Sequence, residues 1–462
     1  MRIELTPPGS ISGRVLDRFG NPVANLTIQA VQPGYENGKL SWNIVQSRPT
    51  NDLGEYRIFW LNPSRYYIRT VQSDSVETFI RSSFRSVEIN NVVSAPGPWV
   101  IRSIAEDGTV NDEGTFPVYY PGTPQAVNAT PVDIQPGSQF YGIDFQFVQY
   151  PVHRVLGRIT GLPGMTGSDR FVKLVPDPAL SSNSGISDSE ELSAEVNDDD
   201  TFEIAGVPAG SYILAADVSV DSQRFFGTSP VEVRNSDVKG VVVTPSPNVE
   251  IAGRFLLDGD PAGANSFEVF TDSLLRSQLT PDDYSIATID GTALNFRNVA
   301  IGNYRIEAES LEIRVPGRNA AQPAYIESIV AGNQNVLQDG LHVTSPFDQS
   351  LTIVLRTDFA RLDGRVSSTA PIAFGSLVVL IPENRNDLNR FKTVAPGPDG
   401  RFRFENIAPG YYKLFAWDRI EIGAWFNRGF LEEFESRGRP ITLAPGGNGT
   451  AEIPMITREP HP

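Results

Sequence analysis

Asp399-Gly-Arg-Phe-Arg-Phe-Glu-Asn-Ile-Ala-Pro-Gly-Tyr-Tyr-Lys-Leu414 is the stretch on which the fold turns. Apolar and polar residues alternate through Phe402 and Phe404, the period-two pattern of a strand with one buried face. Pro409-Gly410 then suits the φ angles of a tight turn, after which an extended pattern resumes. Strand, turn and strand are expected here, and the unit recurs. Its other copies are Asp200-Thr-Phe-Glu-Ile-Ala-Gly-Val-Pro-Ala-Gly-Ser-Tyr-Ile-Leu214, Leu294-Asn-Phe-Arg-Asn-Val-Ala-Ile-Gly-Asn-Tyr-Arg-Ile306 and Gly54-Glu-Tyr-Arg-Ile-Phe-Trp-Leu-Asn-Pro-Ser-Arg-Tyr-Tyr-Ile68.

Upstream of each copy lies a second signature: Ile11-Ser-Gly-Arg-Val15, Val155-Leu-Gly-Arg-Ile159, Ile251-Ala-Gly-Arg-Phe255 and Leu362-Asp-Gly-Arg-Val366. Its apolar positions share one strand face, with Arg14, Arg158, Arg254 and Arg365 on the other, which reads as the opening strand of a sandwich. The two signatures keep step. Glycines 13, 157, 253 and 364 are 144, 96 and 111 residues apart, and tyrosines 66, 212, 304 and 412 are 146, 92 and 108 apart. A third element closes each unit, as in Pro131-Val-Asp-Ile-Gln-Pro-Gly followed by Gly142-Ile-Asp-Phe-Gln-Phe147, or Pro440-Ile-Thr-Leu-Ala-Pro-Gly followed by Ala451-Glu-Ile-Pro-Met-Ile456.

These repeats predict an all-β chain: a tandem array of four transthyretin-like or immunoglobulin-like β-sandwich modules over residues 1–149, 150–247, 248–356 and 357–462. At 462 residues the chain exceeds one hydrophobic core, and its 40 Gly and 36 Pro serve as turn punctuation for many short strands. The first module carries an insertion over about 71–115. The last carries one short helix over about 428–437, with Phe430, Leu431 and Phe434 on one face and Gly438 as its C′ terminator. Such insertions are expected at sheet ends or edges, where partners bind. The four tyrosines are expected to anchor turns, and Trp60 and Trp417 to be structural.

Residues 11–15 with 50–68, and 362–366 with 398–414, resemble the carboxypeptidase regulatory-like domain, a transthyretin-like sandwich related to starch-binding-like and Cna B-type modules. The likeness extends along the whole chain and is weakest in the third copy, where Ile301 replaces the turn proline. It implies accessory modules of bacterial secreted and surface proteins, and so an extracellular or cell-surface location. The opening Met1-Arg-Ile-Glu-Leu-Thr-Pro-Pro lacks the apolar stretch of an export signal, so either the chain is cytoplasmic or its export signal lies outside this sequence, and the resemblance favours the second.

Composition excludes several kinds of chemistry. A formal charge of −17 opposes binding to nucleic acid and anionic membranes, and no apolar run is long enough to span a bilayer as a helix. With no cysteine there is no disulfide, thiolate metal site or Cys nucleophile. His153, His342 and His461 stand in no zinc-peptidase arrangement, so no catalytic residue is assigned. Cna B-type modules often carry a Lys isopeptide crosslink, yet no opening strand here has a Lys, and a guanidinium cannot replace the amine.

The leading expectation is a non-catalytic structural or assembly protein that self-associates through sheet edges. A polysaccharide-binding protein is the alternative, using Trp99, Tyr119, Tyr120, Trp425 and Phe426 as surface rings, although core packing is the competing use for each. An accessory subunit of a separate enzyme is a third. Calcium is the one cofactor the sequence admits, on Asp198, Asp199 and Asp200 of an acidic loop, where a solvated turn is the plainer reading.

Overall fold

The computed structural model describes residues 7–36, 39–71, 100–104, 110–115, 117–123, 126–162, 170–177, 192–221, 223–257, 267–279, 284–315, 320–373 and 375–457. The chain is all-β, and strands make up nearly all of its regular structure. It divides into two compact units, Met1–Gly34 with Leu40–Pro245, and Tyr35–Lys39 with Ser246–Pro462.

In the first unit, the opening strand Gly9–Leu16 lies antiparallel to Glu55–Leu61 and parallel to the short closing strands Gln139–Phe140 and Phe145–Gln146. A second sheet, ordered Lys39–Pro49, Thr27–Glu36, Ser64–Val71, Val132–Ile134, supplies the other side of one core. Ile11, Val15, Ile28, Ile58, Tyr66 and Ile68 are buried between the two sheets. The next core repeats this topology: Gln149–Ile159 lies antiparallel to Thr201–Pro208 and parallel to Val238–Val243. Residues Gln149 to Pro151 of that same strand also pair with Val110–Thr115.

The second unit contains two further cores of the same design. Val249–Leu257 lies between antiparallel Ala293–Val299 and parallel Leu351–Arg356, and Ala360–Ser367 lies between antiparallel Arg401–Ile407 and parallel Asn448–Pro454. The third core also gains Tyr325–Ala331, a strand beside Leu351–Arg356. A helix not expected from the sequence, Val336–Asp339, follows it, with the Asn335 side chain accepting from Leu337 N.

The step kept by glycine and tyrosine has a packing cause. A Cβ on Gly364 would stand 2.7 Å from the carbonyl oxygen of Ala451 in the closing strand and 2.7 Å from Cε1 of Phe402 in the signature strand. Gly157 is held in the same way by Phe202, whose ring lies where its Cβ would be. In the second and fourth copies an aromatic ring crosses the opening strand at the glycine, so there the signatures are two halves of one contact, whereas in the third Leu294 and Leu351 take that space. The paired arginines point outward as expected; Arg14 Nε donates to Leu53 O at 2.7 Å and Arg365 Nε to Asp399 O at 3.2 Å, each tying the opening strand to the neighbouring hairpin turn.

The expected helix over 428–437 is shorter. It spans Arg428–Glu432, capped by the Asn427 side chain accepting from Phe430 N at 2.9 Å, and a separate 3-10 turn covers Glu435–Arg437. Gly438 is no left-handed terminator, since its φ of −72° is extended and leads directly into the strand Arg439–Leu443. Glycine is required there for space, because a Cβ would stand 2.7 Å from Cε1 of Phe415. Phe430, Leu431 and Phe434 do share a face, and it covers Val379, Ile381, Phe415 and Trp417 on the outer side of the fourth core's second sheet. This segment therefore seals a sheet face and is not an appendage at an edge.

Candidate functional site

The aromatics proposed as surface rings are largely buried. Tyr119 is enclosed with Val31, and Trp42 and Tyr67 pack on the same cluster. Its ring stands 5.6 Å from that of Trp42, and its hydroxyl accepts from Arg69 at 3.2 Å. Tyr120 is half-buried against the first core, 6.5 Å from the ring of Phe145. Trp425 is 7% exposed beneath the Arg428–Glu432 segment, and Phe426 is half-buried against Phe391 at 4.7 Å. Tyr119 and Trp425 are thus closed to a sugar ring, and Tyr120 and Phe426 are only partly open. Trp99 lies outside the described residues.

The acidic loop is a hairpin turn built on the repeat's own pattern. Asp199 Oδ1 accepts from both the Thr201 hydroxyl (2.6 Å) and Thr201 N (3.2 Å), as Asp399 Oδ1 accepts from Arg401 N at 3.1 Å in the fourth copy. Those bonds hold the Asp199 carboxyl below the usual range. Asp200 sits at φ +66°, where the first and fourth copies have Gly54 and Gly400, and its carboxylate pairs with Arg170. The sequence used aspartates to make the turn, and two of the three carboxylates are already engaged. Among the described residues no three His, Asp or Glu side chains come together as a metal site. His153 and His342 lie within strands, and His342 Nδ1 is 2.8 Å from Asn303 Oδ1.

The four tyrosines anchor turns, each hydroxyl bonding the carbonyl four residues back: Tyr66 to Asn62, Tyr212 to Pro208, Tyr304 to Ala300 and Tyr412 to Ala408. Burial pushes the Tyr412 phenol up to about 12. The residue two positions before each of those carbonyls adopts a left-handed backbone: Trp60 (φ +62°), Gly206 (+72°), Asn298 (+55°) and Asn406 (+53°). Trp60 thereby departs from the expected structural role, for it is 72% exposed while Trp417 is fully buried.

Within the second unit, a polar joint connects the last strand of the third core to the fourth. Tyr325 Oη donates to Asp358 Oδ1 at 2.7 Å, and Arg356 lies 3.3 Å from Asp358 Oδ2. Desolvation pushes the Asp358 carboxyl up, but the Tyr325 hydroxyl and the Arg356 charge outweigh it and hold the group below its ordinary value. Arg390 Nη1 donates to Pro409 O (2.9 Å), and its Nε lies 2.8 Å from Asp387 Oδ2. Burial dominates at Asp387 and raises its carboxyl despite Arg390. Asn389 accepts from Ala308 N at 3.0 Å, and Asn386 donates to Gln338 O at 3.0 Å. Paired charges and backbone caps of this kind tie the two cores together.

Several strands also present free sheet edges. Lys39–Pro49, Glu55–Leu61, Thr201–Pro208 and Arg401–Ile407 each end a sheet, leaving one side of the strand unpaired among the described residues.

No protein-family model matches the chain, and no curated protein does. Among solved structures, the Bacillus anthracis TIE protein is 8% identical over 99% of this chain and 76% of its own, with a TM-score of 0.16. A Streptococcal ancillary pilin is 11% identical over 67% and 100% (TM-score 0.20), and BcpA, the major pilin subunit of Bacillus cereus, is 9% identical over 97% and 99% (TM-score 0.16). All three likenesses are remote, and the chain's own residues carry what is proposed for it.

Proposed function

We propose that this chain is a non-catalytic structural subunit of the bacterial cell surface or extracellular space. Four tandem sandwiches, over 1–149, 150–247, 248–356 and 357–462, form its body, and sheet edges join it to further copies. The observation that carries this reading is where the repeated residues go. Glycine, aromatic, arginine and tyrosine recur in every copy or nearly so, and each is consumed by packing or turn formation. Repetition of that kind selects for a shape. Free edges are templates for strand addition, which gives such a shape a means of assembly. The resemblance to carboxypeptidase regulatory-like and Cna B-type modules fits the same role.

Sedimentation velocity of the purified chain from low to high micromolar concentration, with electron microscopy of the concentrated sample, tests it. Discrete oligomers or rods are expected. A strictly monomeric chain throughout would contradict the assembly role.

A further inference from the structure

We propose that the edge strand Lys39–Pro49 is the surface through which a second copy of this chain binds, pairing antiparallel about a two-fold axis near Ile44. The proposal rests on the self-association reading and names the contact.

Length is the first reason. Lys39–Pro49 has 11 residues and ends its sheet, whereas no other sheet-ending strand among the described residues exceeds the 8 of Thr201–Pro208. A strand that long presents a row of unpaired backbone donors and acceptors, which natural proteins ordinarily blunt with charge, proline or shortness. The other edges show that protection. Arg401–Ile407 alternates Arg401, Arg403 and Glu405 outward, all exposed. Thr201–Pro208 carries the exposed Glu203 near its middle.

Lys39–Pro49 lacks such protection at its centre. Ile44 is 57% and Val45 39% exposed, and as neighbours in a strand they show apolar surface on opposite faces of the same edge. Charge is the second reason. A chain with 55 acidic and 38 basic residues repels its own copies over most of its surface, yet this strand has no acidic residue and keeps its charges, Lys39 and Arg48, at its ends. Two copies meeting edge to edge bring Ile44 against its own mate with no charge between Ser41 and Ser47. Such a two-fold contact is self-complementary and closes as a dimer.

Two measurements on the full chain test the contact: sedimentation velocity of the wild type, of Ile44→Lys/Val45→Lys and of the exposed control Ile286→Lys, and amide hydrogen exchange of residues 40–48 at low and high concentration. Circular dichroism confirms that each variant is folded. The expected result is concentration-dependent protection over 40–48, dimerisation weakened at least tenfold in the double variant, and an unaffected control. If the wild type associates while exchange over 40–48 and association of the double variant are unchanged, this edge assignment falls and self-association stands. If the wild type remains monomeric, both fall.

Discussion

The Tyr412 hydroxyl donates to the Ala408 carbonyl at 2.5 Å, closing the turn between the strands Arg401–Ile407 and Gly410–Trp417. The acceptor is four residues back in all four copies, and each phenol is buried in its core, so the bond forms where water competes poorly. Replacing Tyr412 with Phe leaves the ring and strands the carbonyl. A loss of about 1 kcal/mol is predicted from denaturant unfolding, with similar losses at Tyr66, Tyr212 and Tyr304. No change in midpoint would show that the hydroxyl contributes nothing to the turn.

Gly364→Ala places a methyl against the ring of Phe402 and the carbonyl of Ala451. The ring cannot retreat without leaving the core, so destabilisation of about 1–3 kcal/mol is predicted. Combining it with Phe402→Leu should recover part of the loss. Strictly additive effects would rule out the ring as the obstacle.

Trp60 holds a left-handed backbone that the other copies give to Gly206, Asn298 and Asn406. For a bulky L-residue that conformation costs about 1–2 kcal/mol, and the exposed indole recovers little of it. Trp60→Asn is predicted to stabilise the first core by about 1 kcal/mol in thermal or chemical unfolding. A destabilised variant would mean that the ring makes a contact worth more than the strain.

Asp358 and Asp387 should respond to pH with opposite signs. The Asp358 carboxyl is held below its ordinary value when folded, so its stabilising contribution is present above the unfolded value near 3.8 and fades as pH falls through the folded one. Asp387 is raised, so its contribution is complete below that value and fades as pH rises through the folded pKa. Relative to wild type, Asp358→Asn is therefore predicted to be more destabilising at pH 7 than at pH 3. The effect of Asp387→Asn should become more favourable over the same interval. Parallel shifts of the two variants would contradict the assignment.

Much of this architecture was legible in the sequence, because a sheet with one buried face writes its period directly into the residues. The Ile11, Gly13, Val15 pattern fixed both the strand and its buried face. What escaped reading depends on contacts distant in sequence. Trp425 and Tyr119 look like surface rings until the second face of a sheet is known to be covered. A signal existed: Val378-Val-Leu-Ile381 and Leu414-Phe-Ala-Trp417 are unbroken apolar runs, and all eight residues are buried, as expected of strands packed on both faces. Alternation reports strand faces and is silent on φ, so it does not distinguish the exposed, left-handed Trp60 from a buried strand residue. Setting Trp60 beside Gly206, Asn298 and Asn406 exposes the left-handed position.

Residues 357–462, expressed alone, give the most direct test of the claim that each repeat closes its own interior. The account predicts a cooperative unfolding transition, with Trp417 and Trp425 emitting as buried indoles in the native state. A fragment with no cooperative transition and solvent-exposed tryptophan emission would contradict it.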